Sequence, residues 1–73
     1  MTADFKVVYK IAECFIFTTV TAPDRDYIEV ADRIEDFETK FLSVFDLTYL
    51  EKVTIVDMIE TAYQERFGSL IGE

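Results

Sequence analysis

The chain has no histidine and no tryptophan, and only one cysteine, one proline and two glycines in 73 residues. The missing histidine removes the commonest general base, the commonest metal ligand and every histidine-containing triad. The lone Cys14 has no partner for an internal disulfide, and an unpaired thiol suits a reducing compartment. Gly68 and Gly72 both lie near the C-terminus, so no glycine-rich loop stands before a helix to cradle a phosphate. Cations are also scarce. Seven Lys and Arg stand against fifteen Asp and Glu, for a net charge of −8 and a pI near 4.3. Nucleic-acid binders carry a basic footprint, so nucleic acid is not expected as a partner. No apolar run reaches the roughly 20 residues of a membrane span. No basic segment followed by an apolar core marks a secretory leader. The expected setting is cytoplasmic, with no membrane partner.

Bulky side chains, by contrast, are plentiful. Apolar residues make up 51% of the chain, and seven Phe with four Tyr supply eleven rings. That composition is not that of a disordered chain. The length admits one domain, residues 1–73. A domain this small buries only about 60% of its unfolded surface and is marginal alone. Each ring buries roughly 150–250 Å², so some rings are expected at an interface, and a homo-oligomer is one expected outcome.

Three segments follow one another. The last is the clearest helix. Thr48 and Glu51 have the S/T-x-x-E spacing of a capping box. Ile55, Val56, Ile59, Ala62 and Tyr63 then form one helical face. Arg66 would sit in the last turn, where a cation favours the dipole. Gly68 would end the helix as a left-handed cap, with Leu70 packing back. The similar apolar spacing of Tyr49–Val56 resembles the carrier helix of acyl carrier proteins. However, Tyr49 stands where the serine bearing the prosthetic arm would be, so the likeness is that of amphipathic helices in general.

The middle segment carries Tyr27, Val30, Ile34, Phe37, Phe41 and Val44 at alternating spacings of 3 and 4. This predicts a bundle helix rather than a sustained coiled coil. Pro23 suits its first turn, with Thr21 as cap. The first segment, Phe5 to Val20, reads two ways. Phe5, Val8, Ile11, Ala12, Phe15 and Ile16 make a complete helical face, whereas Cys14–Thr21 is rich in strand formers. Sixteen residues without a turn signal favour a helix, because strands average about 5–6 residues. The expected fold is therefore all-α, a small three-helix bundle. The alternative is α+β, with an N-terminal strand or hairpin packed on two helices.

Few residues could carry chemistry. Asp24 and Asp26 lie close together but lack the glycine and the bidentate glutamate of an EF-hand loop. Glu35 and Asp36 are paired acids on a helix with no cleft implied. Cys14 reads as a small buried hydrophobe. No catalytic residue, metal ligand or cofactor is expected.

The charge distribution is the most informative feature. Residues 1–22 are neutral overall. Residues 23–38 hold seven acids against Arg25 and Arg33, net −5, and residues 39–73 are net −3. Glu29, Asp32 and Asp36 line one helical face. Like charges at that spacing cost about 0.2–0.5 kcal/mol per pair. Glu29 with Arg33 and Asp36 with Lys40 offset part of this at i, i+4. The expected function is non-enzymatic: regulation or inhibition of a larger, basic-surfaced protein, such as an RNA polymerase, a nuclease or a DNA-binding protein. The carboxylates would imitate phosphates. Asp26, Glu29, Asp32, Glu35 and Asp36 are the expected partner-binding residues. The alternative is a structural homo-oligomer using surplus apolar surface around Phe17, Leu50 and Met58.

Overall fold

In a computed structural model, residues 3–71 are described, with side chains described through residue 68. They form three helices and no strand. Helix α1 (Ala3–Phe15) runs on into a π-helical turn, Ile16–Val20. Helix α2 (Tyr27–Asp36) runs on into a second π-helical turn, Phe37–Phe41, and a short 3₁₀ turn, Leu42–Val44. Helix α3 spans Tyr49–Ile71. The expected all-α three-helix bundle is thus the observed fold.

The strand-like stretch Cys14–Thr21 is helical because its apolar residues meet the core at helical spacing. Phe5, Val8, Ala12 and Val20 are buried, and Phe15 and Ile16 pack against them. β-Branched residues weaken a helix, and here two threonines bond back to the backbone. Thr18 Oγ1 donates to Cys14 O at 2.8 Å, and Thr21 Oγ1 to Phe17 O at 3.0 Å. The widened turn closes with Thr21 N donating to Ile16 O at 3.0 Å, a five-residue step.

Thr21 therefore closes α1 and does not cap α2. Asp26 takes the cap position, its Oδ1 accepting from Glu29 N at 2.8 Å. Pro23 lies in the linker rather than in the first helical turn. At α3 the capping box forms as expected. Glu51 N donates to Thr48 Oγ1 at 3.1 Å, and Thr48 N to Glu51 Oε1 at 3.0 Å. The other end differs from expectation. The helix continues through Gly68, which has no positive φ. Nothing at Gly68 demands glycine, so the chain keeps its helical hydrogen bonds. The packing expected of Leu70 lies outside the described side chains.

Three contacts set the topology. Asp46 N donates to Asp4 Oδ2 at 3.3 Å near the start of α1 and α3. Arg66 Nη1 donates to Val20 O at 2.8 Å near their far ends. Helices α1 and α3 therefore run parallel. Tyr63 Oη donates to Tyr27 O at 3.2 Å, which brings the start of α2 to the C-terminal half of α3 and makes α2 antiparallel. Val8, Val20, Val30, Ile55 and Ile59 are fully enclosed between the three helices. No described helix is long and apolar enough to cross a membrane.

Candidate functional site

The five acids expected to form one patch are divided between two edges of α2. Asp26 is exposed and engaged as the helix cap. Glu29 lies between two arginines, with Arg25 Nη1 at 2.6 Å and Arg33 Nη2 at 3.2 Å from its Oε2. Asp36 Oδ1 is 3.4 Å from Lys40 Nζ. These pairs belong to the α1-facing edge, where Phe15, Arg33, Asp36, Phe37, Lys40 and Phe41 line an open groove of about 440 Å³. Glu29 and Asp36 are therefore each paired with cations four residues away along the chain.

The opposite edge has a different character. Glu35 faces α3 and lines a cleft of about 130 Å³ with Ala31, Ile34, Glu38, Glu60 and Tyr63. Asp32 is exposed and lies outside that cleft, and among the described residues neither Asp32 nor Glu35 makes an ion pair. Helix α3 extends this surface, with Asp57, Glu60 and Glu65 lining the adjoining hollow. Acids of two helices thus gather along one seam. The cation approaching it is Lys52, which shares a neighbouring groove with Asp57 and Glu60.

Glu38 and Glu60 are the site residues that pattern reading missed. Glu38 Oε2 is shielded from solvent and has no hydrogen-bond partner. Burial pushes the Glu38 carboxyl up to about 7, helped by the charge of Glu60 and a hydrogen bond with it. Burial likewise raises the Tyr63 phenol, with smaller contributions from Glu60 and Tyr27. A signal was available. Glu38 follows Ile34 by four residues and Glu60 follows Val56 by four, so both stand at helical spacing from seam positions.

The surplus of rings expected from composition takes a definite form. Phe15, Phe37, Phe41 and Phe45 make a ladder with successive centroids 4.6, 4.8 and 4.9 Å apart, all half-buried. Phe17 and Leu50 are 79% and 74% exposed, but Met58 packs against the core. Met58 faces inward because it follows Ile55 by three residues on the same helical side. Cys14 is exposed rather than buried, because its helical position falls beside the core face.

Among the described residues, no group of three His, Cys, Asp or Glu could hold a metal ion. The carboxylate seam can accept charge-assisted hydrogen bonds from lysine or arginine, and the part-buried Glu38 carboxyl beside Glu60 can hold a proton. No protein-family profile, curated protein or solved structure matches this chain.

Proposed function

We propose that this chain is a non-enzymatic docking protein whose acidic α2–α3 surface binds and regulates a larger, basic-surfaced protein, with its carboxylates standing in for phosphates. Proteins that handle nucleic acid, such as polymerases, nucleases and repressors, carry surfaces of that chemistry. One observation carries the reading. The carboxylates of Glu35 on α2, and of Asp57, Glu60 and Glu65 on α3, line adjoining hollows and form no ion pair among the described residues, nor does exposed Asp32, whereas Arg25, Arg33 and Lys40 are engaged with Glu29 and Asp36. Unpaired charges on one surface steer a partner and set specificity.

The binding residues narrow accordingly. Asp32 and Glu35 are the active members of the expected five. Asp26, Glu29 and Asp36 serve the helix. Immobilised wild-type chain should capture a basic protein from host lysate and release it with salt, since exposed charges are screened within about 8–10 Å. The double variant Asp32→Lys, Glu35→Lys should lose that capture, and Glu29→Gln should keep it. Equal capture by the double variant would overturn the reading.

A second reading rests on the apolar surface. Val44, Tyr49 and Leu50 are strongly exposed, and self-association would cover them. Sedimentation at tens of micromolar distinguishes a monomer from a dimer.

A further inference from the structure

We propose that Glu38 and Glu60 form a proton-operated clasp between α2 and α3: sharing one proton they bridge the two helices, and without it they push the seam apart.

The geometry supports this independently of the docking reading. Glu38 sits in the π-helical turn Phe37–Phe41, and its side chain enters the α2–α3 cleft. Its carboxyl shares this narrow cleft with Glu60, yet its Oε2 is shielded and finds no donor. Two ionised carboxylates offer only acceptors, so no hydrogen bond can join them. One added proton supplies the missing donor and removes the repulsion. The walls provide no substitute cation. From α2 the cleft is faced by Ala31, Ile34 and Glu35, and from α3 by Glu60 and Tyr63. Glu35 is itself a carboxylate and supplies no cation. The Tyr63 hydroxyl donates elsewhere, to Tyr27 O. Lys52 and Asp57 meet Glu60 in the neighbouring groove, and no α1 residue lines the cleft.

The sign of the linkage follows from the direction of the shift. Glu38 titrates near 7 when folded, against an ordinary value of 4.5. Between these limits the folded chain holds a proton that the unfolded chain has lost. The clasp therefore contributes most at the acid end of that window. Its contribution falls as pH rises and levels off above about 7.

Thermal unfolding of the full chain tests this, with wild type and Glu38→Gln compared from pH 5 to pH 8.5. The amide keeps the shape and offers a permanent N–H donor. Its Tm should match wild type near pH 5 and exceed it by on the order of 5 °C above pH 7.5. A pH-independent gap, or a variant less stable at every pH, overturns the clasp. Carbon-13 titration of the wild-type Glu38 carboxyl gives a second measurement. Its midpoint should lie well above 4.5 and fall in Glu60→Gln, whose amide can donate to an ionised Glu38. A midpoint in the ordinary carboxylate range, or one unmoved by Glu60→Gln, overturns the clasp as well.

Discussion

Arg66 of α3 closes the far end of α1: its Nη1 donates to Val20 O at 2.8 Å, while its Nη2 donates to Arg25 O at 3.1 Å. A helix C-terminus leaves carbonyls without partners, and here a side chain from another helix satisfies one of them. The guanidinium also lies over the Phe67 ring, 4.5 Å from its centroid. Arg66→Ala would remove both hydrogen bonds and leave the part-buried carbonyls short of a donor. The expected loss is about 2–3 kcal/mol, read from urea unfolding. Arg66→Lys should recover only part of it, because an ammonium lacks the planar fork that reaches two carbonyls at once.

Gly68 gives a test of opposite sign. It lies inside α3 at a helical φ, where a Cβ would meet only Gln64 Oε1 at 3.3 Å. That atom ends a flexible side chain and can move aside. Gly68→Ala should therefore stabilise the protein by about 0.5–1 kcal/mol, seen as a higher urea midpoint. Were Gly68 a left-handed cap, the same change would lower the midpoint.

Ile59 is fully buried at the meeting of the three helices. Ile59→Ala should cost roughly 2–5 kcal/mol. Small domains have about 5–15 kcal/mol in all, so much of the population would unfold on mild heating. Loss of the helical signal on a temperature ramp checks this.

The capping box at α3 predicts a smaller effect. Thr48→Ala removes the acceptor of the Glu51 N–H and should cost about 1 kcal/mol. The change should leave capture of a basic partner intact, which separates stability from docking.

The acids of α2 should divide into two classes by mutation. Glu29 joins Arg25 and Arg33, so Glu29→Gln should lower stability by about 0.2–1 kcal/mol. Asp32 has no such pair among the described residues, so Asp32→Asn should leave stability unchanged or slightly raise it by easing repulsion. Denaturation midpoints at low and high salt would show the Glu29 effect shrinking with salt.

Helical periodicity was enough to identify the second and third helices, whereas the first read two ways and was decided by its length without a turn signal. The seam residues Val30 and Ile34, and the face Ile55, Ile59 and Tyr63, are buried as their spacing implies. The capping box was equally legible, because a cap is a local contact between residues three apart. Boundaries were less so. Thr21 is the cap that spacing suggests for α2, and Asp26 takes that place because the core draws α1 on to Val20 and Thr21 closes it. The end of α3 was misread because Gly68 permits a left-handed turn without requiring one.

The acidic surface shows the same division. Composition and order along the chain put the charge between residues 23 and 38, and the pairing of Glu29 and Asp36 with their own helix followed from i, i+4 spacing. Which carboxylates stay unpaired was decided by the packing of α2 against α3. That packing adds Glu60 from a distant part of the chain and shields one oxygen of Glu38. A linear pattern records which residues share a helix face. It does not record which face of another helix lies opposite, and in this protein that juxtaposition turns a charged stripe into a seam with a proton site.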